Sequence, residues 1–460
     1  MKWNNLSLHK IKWICSFIVV LLPFFCSISN VFQKYLAVTL WAIMMWMFEL
    51  LPEEIVAIML PGLYILFDIT NYATAFSAWT TSTPWITLGG LMIGGMIVKS
   101  GLVLRIAYKS LLLTKGSLKG IVWGIVLTCT IFTPLIPSIM AKVALLVPVV
   151  IGICKVLKVE AKSATASALM LVVFFALWSP KMAFMTASTD SILTAGILEQ
   201  YLGVKITWLA WAKDMFIPGI LWMLVSIPLI YILRPQHLSL NKEYLELEYR
   251  KLGKITINEK KTVTLITALL ILLIFSSWHK LPEGVLMLGI GCLGFFPGIG
   301  LLKSDDFSKI QFKVVFFLAG AVTIGAVASS IGITESVINF VQPYFEQMNS
   351  YELVMSIYIF SILANFLLNP LALIATLMIP IANLCSNLGY SATIGGYSMI
   401  MGFNQALFPY EIAPLMLVYG FGYLKLTHLI KVMVFRVVAG IIFMTVVTYP
   451  YWLYIGLLDK

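Results

Sequence analysis

The stretch GGLMIGGMIVKSGLVLRIAYKSLLLTKGSLK, Gly89–Lys119, has a counterpart in GAVTIGAVASSIGITESVINFVQPYFEQMNSYE, Gly320–Glu352. Gly89, Gly94 and Gly101 recur at identical spacing as Gly320, Gly325 and Gly332. Upstream, LPEEIVAI (Leu51–Ile58) pairs with LPEGVLML (Leu281–Leu288); downstream, Pro148 pairs with Pro380. A shared order and offset of this kind marks an internal duplication. The segments after the last glycine differ in charge. Leu102–Lys119 carries Arg105, Lys109, Lys115 and Lys119 and no acid, whereas Ile333–Glu352 carries Glu335, Glu346 and Glu352 and no base. By the positive-inside rule the first lies in the cytoplasm and the second outside. Equivalent segments on opposite faces make an inverted repeat, an architecture frequent among secondary transporters.

The composition supports a membrane chain. Of 460 residues 60% are hydrophobic and 11% charged, against about a quarter charged in soluble domains. The net charge of +11 sits in short gaps between apolar runs, where basic residues set orientation and do not signal nucleic acid. Leu353–Tyr410 holds 58 residues without a charge. A spanning helix needs about 20, so this run crosses or re-enters more than once, with breaks at Asn365, Asn369-Pro370 and Pro380. Trp13–Gln33, behind Lys2, Lys10 and Lys12, reads as a retained first helix with a cytoplasmic N-terminus. The polar connector Arg234–Lys261 has seven Lys/Arg and four Glu. The expected division is 1–34 for the tail and first helix, 35–233 and 262–460 for the repeats, and 234–261 for a cytoplasmic linker. GLVLRIAYKSLL, Gly101–Leu112, has the pattern of a helix lying along the inner surface. The six cysteines have no CxxC spacing and the four histidines are scattered, so neither disulfide framework, metal site nor catalytic triad is indicated.

Inverted-repeat carriers bind substrate near the midplane, where interrupted helices expose backbone groups to a cavity. Four segments mix Pro or Gly with polar residues inside apolar sequence: Thr133–Lys142, Ser179–Ser191, Asn365–Leu373 and Gly402–Pro414. Lys142, one helical turn past Ser138, either attracts an anion, takes the place of a coupling cation, or snorkels to the headgroups. Asp190 follows Thr186, Ser188 and Thr189 and reads as a cation ligand or proton relay, or as the partner of Lys142 or Lys181. Glu411, after Asn404, Gln405 and Pro409, reads as a cavity carboxylate or a helix end. Lys181 reads as a helix-end snorkeler, Glu49 with Glu53 and Glu54 as a structural helix end, and Trp208, Trp211 and Trp452 as an interfacial belt.

Several stretches carry a family resemblance, in order, over nearly the whole chain. FELLPEEIVAIMLP (Phe48–Pro61) is similar to the Thr-Glu-Ala-Ile-Pro signature of the divalent anion:sodium symporters, with Glu49 and Pro52 matching. TSTPWITLGGLMIGGMIVKSGLVLRIA resembles that family's glycine-rich and amphipathic helices. ITWLAWAKDMFIPGIL (Ile206–Leu221) and LMLVYGFGYLKLTHLIKV (Leu415–Val432) resemble its paired pre-helix segments. The family's hairpin tips carry Ser-Asn-Thr motifs that line carboxylate and sodium sites. At those places stand Ser138-Ile139-Met140 and Pro370-Leu371-Ala372, with Asn369 adjacent. The turns that follow correspond to Thr186–Ser191 and Glu411–Pro414. The interruptions and the resemblance together give a candidate substrate and ion site drawn from Ser138, Lys142, Thr186, Ser188, Asp190, Ser191, Asn369, Asn404, Glu411 and Pro414. The resemblance further implies a homodimer whose scaffold includes Phe48–Phe67 and Leu281–Leu302, working by an elevator motion.

The expected protein is an all-α integral membrane protein of about 11 transmembrane helices, with two inverted repeats, each containing a re-entrant hairpin. It would be a multi-pass cell-membrane carrier of small anions, di- or tricarboxylates or a related anion, and not an enzyme. No nucleotide-binding motif is present, so energy comes from a gradient. The degraded sodium motifs and two protonatable carboxylates favour proton coupling or exchange over sodium symport. Beyond a possible coupling cation, sodium or proton, no cofactor is expected, and the partners are the anion, membrane lipid and a second copy. A carrier of a non-anionic solute, and a non-transporting sensor or scaffold on the same fold, are the competing readings.

Overall fold

Among the described residues nine helices of one half have counterparts in the other, and their caps explain where they start. The computed structural model describes residues 2–48, 50–114, 117–236 and 242–459; Glu49, Lys115 and residues 237–241 of the connector lie outside them. After α1 (Lys2–Leu21), the first repeat runs α2 (Asn30–Phe48), α3 (Glu53–Leu66), α4 (Ser82–Lys99), α5 (Leu102–Leu112), α6 (Leu118–Phe132), α7 (Ile139–Val156), α8 (Ala164–Trp178), α9 (Thr189–Leu202) and α10 (Trp208–Ser226). The connector forms α11 (Lys242–Lys251). The second repeat follows as α12 (Ile257–Ile274), α13 (Glu283–Leu293), α14 (Phe312–Ile331), α15 (Ile333–Val341), α16 (Ser350–Ala364), α17 (Pro370–Asn387), α18 (Ala392–Phe403), α19 (Ala413–Gly420) and α20 (Leu426–Phe443). Among the described residues there is no strand. Among the described residues seven helices are long and apolar enough to cross a membrane, or eight where the bent pair α4–α5 is taken as one span.

The repeat is legible in local chemistry. Side chains of Ser117 and Asn349 cap α6 and α16, Ser138 and Asn369 cap α7 and α17, and Ser163 and Ser391 cap α8 and α18. Each accepts a hydrogen bond from a backbone N–H that the first turn leaves unpaired. Gly101 (φ 81°) and Gly332 (φ 76°) occupy the left-handed region at equivalent corners, where a Cβ is penalised. At the first of these the chain bends by 65° from α4 into α5. There Arg105 is buried under the connector: its Nε donates to Glu259 Oε1 (2.5 Å) and its guanidinium to the carbonyls of Leu252, Gly253 and Lys254.

Two reciprocal crossings join the halves. α13 lies along α4, and α14 lies along α3. A methyl group on Gly89 would overlap the backbone of Met287, and one on Gly320 would overlap the backbone of Ala57. Ala57 and Met287 are themselves equivalent positions of LPEEIVAI and LPEGVLML. The same contact is therefore made twice about a pseudo-two-fold. In lipid no hydrophobic force drives helices together, so such close backbone approach supplies much of the association. Outside this four-helix unit, α8 and α18 are buried on all sides, as helices apolar around their whole circumference must be.

Gly89→Ala and Gly320→Ala should each destabilise the protein by about 1–3 kcal/mol, because neither opposing backbone can rotate away. Gly289→Ala on α13, where nothing lies within 4 Å, should leave the thermal midpoint in detergent unchanged or slightly raised.

Candidate functional site

The four interruptions meet in the interior. In the first half they are a hairpin tip (133–138) between α6 and α7, and a break (179–188) between α8 and α9. In the second they are a tip (365–369) between α16 and α17, and a break (404–412) between α18 and α19. Within each half the tip is bonded to the break. Thr186 Oγ1 donates to Pro134 O (2.9 Å) and accepts from Trp208 Nε1 (3.1 Å). Lys142, 1% exposed, extends its ammonium to Ala187 O (3.1 Å) and Thr133 O (3.5 Å). In the second half Asn365 Nδ2 donates to Gln405 O (3.1 Å) and Glu411 Oε2 (3.3 Å).

The breaks are bonded to each other through Asn404. Its carbonyl accepts from Trp178 Nε1 (2.9 Å) and Arg436 Nη1 (2.7 Å), and its Oδ1 accepts from Trp222 Nε1 (2.9 Å) and Arg436 Nη2 (2.6 Å). Asn404 Nδ2 returns a bond to Trp178 O (3.0 Å). Arg436 also reaches Ser179 Oγ (3.1 Å) and Gln405 Oε1 (3.2 Å) and lies against the rings of Phe175 and Trp222. A fully buried guanidinium is costly unless its donors are satisfied. Here amide and hydroxyl oxygens satisfy Nη1 and Nη2 without a carboxylate, and Nε is left without a partner among the described residues.

The remaining site candidates hold backbone ends. Ser138 accepts from Ala141 N (3.2 Å). Ser188 caps α9 and shares a bond with Ser191 Oγ (2.9 Å). Asn369 accepts from Ala372 N (2.9 Å) and donates across to Glu53 Oε1 (2.7 Å). Glu411 Oε1 accepts from Leu407 N (3.1 Å) and Phe408 N (2.8 Å), folding the break into a turn. Pro414 lies buried in the first turn of α19. Asp190 is ion-paired with Lys181, whose ammonium also sits 3.3 Å from the centroid of the Trp178 ring.

Four expectations are corrected. Pro380 does not break a helix, because α17 runs through it. Trp13–Gln33 is not one helix: α1 ends at Leu21 and α2 starts at Asn30. Lys181 does not snorkel: it is 0% exposed, because Asp190 and Trp178 satisfy its charge inside. Trp208, Trp211 and Trp452 form no surface belt: all three are buried, their indole N–H groups donating to Thr186 Oγ1, Met182 O and Asp214 O. Glu49 falls outside the described residues. Arg436 went unnoticed in the sequence, where it looked like the edge of the apolar run beginning at Val437. Its depth was the missed signal: ten residues past the start of α20, at 1.5 Å per residue, put it about 15 Å along the helix.

Two cavities open on these elements. One of about 670 Å³ is lined by Met140 of α7, Asn369, Ala413 of α19, Asn365, Glu53 and Glu411. The other, about 510 Å³, touches Ser138 and Ala141 on one side and Lys99, Asp306 and Lys309 on the other. Among the described residues no group of three or more His, Cys, Asp or Glu is placed to hold a metal.

The model of the sodium:sulfate symporter transmembrane region matches residues 4–458. The chloroplastic dicarboxylate transporter 1 of Spinacia oleracea is 27% identical over 250 residues, which make up 53% of this chain and 44% of that protein. The chain thus spans less than half the length of that relative. The L-tartrate/succinate antiporter of Escherichia coli K12 is 23% identical over 484 residues, covering 94% and 96% of the two chains. The crystal structure of the Alcanivorax borkumensis YdaH transporter superposes with a TM-score of 0.56 at 14% identity, over 86% of this chain and 90% of that one, so the fold is shared.

Asp190→Asn should cost about 3–5 kcal/mol, since it strands Lys181 in the interior. Combining it with Lys181→Met should recover most of the loss. Thermal denaturation of the single and double variants in one detergent checks both.

Proposed function

The chain belongs to the sodium:sulfate symporter family, and on that premise we propose that it is a secondary carrier of small dicarboxylates that exchanges one anion for another. The observation that carries this reading is the meeting of three helix N-termini at one cavity. Met140, Asn369 and Ala413, from the starts of α7, α17 and α19, line the same space of about 670 Å³. A helix N-terminus offers unpaired N–H groups and the positive end of the macrodipole, and in broken-helix carriers it meets the substrate's anionic groups. Lys142, Lys181 and Arg436 are buried in the interior with Asp190, Glu283 and Glu411, three of each sign, so the preference for an anion rests on the helix ends and not on an excess of cations. Dicarboxylates are the substrates named for the spinach and bacterial relatives, and exchange is the mode named for the latter.

In this reading Lys142 takes the place of a coupling ion. Its ammonium lies between the carbonyls of Thr133 and Ala187, the kind of oxygen donors with which unwound helices hold a coupling cation. The Asn365 amide bridges tip and break in the second half. With both positions occupied by the chain's own N–H groups, transport draws on the gradient of a counter-anion. Neither Asp190, ion-paired, nor Glu411, accepting two backbone N–H bonds, is a free proton carrier in this arrangement. In this reading α3, α4, α13 and α14 form the scaffold through which two copies pair in the cell membrane. The hairpins and broken helices move against it as a unit, and α5 and the connector face the cytoplasm.

Proteoliposomes test the proposal. Uptake of labelled succinate should require an internal dicarboxylate and should be indifferent to sodium replacement and to a protonophore. Lys142→Ala should weaken anion affinity by about tenfold or more, and added sodium should restore part of it by entering the vacated place. Sodium-dependent uptake into empty vesicles by the wild type would reject exchange. Loss of uptake on collapsing the proton gradient would replace it with proton coupling, and absence of flux for every anion would leave the sensor reading.

A further inference from the structure

We propose that a groove between α1, α2 and α3 is a binding site for a single acyl chain of an anionic phospholipid, with Lys34 as the headgroup contact. The groove, about 440 Å³, is lined by Val20, Phe24, Ala37, Val38, Trp41, Met59, Leu63 and Phe67, and by Lys34 as its one charged group. All its walls belong to one end of these helices: the end of α1 and the turn after it, the start of α2, and the last two turns of α3. From Met59 to Phe67 the groove runs about 12 Å along α3 at 1.5 Å per residue. One leaflet of a hydrocarbon core about 30 Å thick is about 15 Å deep, so the groove takes a chain lying within one leaflet.

Lys34 sits in the first turns of α2, at the end of the groove nearest the 26–30 turn, and is half-buried. Among the described residues it has neither hydrogen bond nor ion pair. Asp68, exposed beside Phe67 at the same end, does not pair with it. Moving an acyl chain from bulk lipid into an apolar groove changes its surroundings little, so the groove alone discriminates weakly. Selectivity therefore rests on the unpaired ammonium, and an anionic phosphate is the group it fits. A basic side chain at a membrane surface is worth about 1 kcal/mol toward anionic lipid, which is a preference of about fivefold. The site depends only on the chain being embedded in lipid and is independent of what it carries.

Native mass spectrometry of the full chain, released from nanodiscs of equal phosphatidylglycerol and phosphatidylcholine, reads the preference directly. The wild type should retain phosphatidylglycerol about fivefold over phosphatidylcholine, Lys34→Gln should bring the ratio near one, and Lys34→Arg should keep it. Ala37→Trp, which fills the groove, should reduce retention of both lipids. Equal retention by the wild type, or an unchanged preference in Lys34→Gln, overturns the site. If Ala37→Trp splits a dimer without altering lipid retention, a second copy fills the groove and the lipid assignment fails.

Discussion

Everything else in the molecule is arranged around a contact made twice, a glycine of one half laid directly on the backbone of the other. Gly89 meets Met287 and Gly320 meets Ala57. In water, two apolar helices would be pressed together by the solvent. In lipid they gain only what their own packing supplies, so helix backbones must approach closely. Glycine at these two positions lets α4 and α14 sink onto α13 and α3. The four helices pack as one unit, and the hairpins and broken helices pack beside it as a second block.

That second block is held by different forces. Its helices stop inside the protein, which leaves main-chain N–H and C=O groups without helical partners. In a region with no water each such group costs several kcal/mol unless it is paired. Side chains in and around the breaks pair them: Thr186 and Lys142 reach the carbonyls of Pro134 and Ala187, Asn365 that of Gln405, Arg436 that of Asn404, and Glu411 accepts from Leu407 N and Phe408 N. Polar residues that looked like a binding site in the sequence thus also hold the interruptions in shape.

Much of this was legible in the sequence. Prolines, glycines and amides inside long apolar runs mark helix breaks, since such residues are unfavourable in an uninterrupted span. All four interruptions fall within the segments read that way. The direction of a side chain was not legible. Lys181 and Lys142 both sit near prolines in apolar sequence, and only the positions of Asp190, Ala187 and Thr133 reveal that each turns inward. The tryptophans were misread for a related reason: their indole N–H groups find partners in the interior, and a composition argument has no access to those partners. Arg436 was overlooked because its counter-groups, Asn404, Gln405 and Ser179, are remote in sequence and carry no charge.

By itself, then, the sequence determined the membrane environment, the duplication, the opposed charge of α5 and α15 and the four interior interruptions. Each of these is a local or periodic property that neighbouring residues decide together. It did not determine that α17 runs unbroken through Pro380 or that Trp13–Gln33 is interrupted between α1 and α2. Only the tertiary structure decided which breaks touch, which cations are neutralised and which three helix ends share a cavity. Those depend on contacts between residues up to several hundred positions apart, such as Asn369 with Glu53 and Trp178 with Asn404. In a low-dielectric interior the partner of a polar group, more than its identity, sets what that group does.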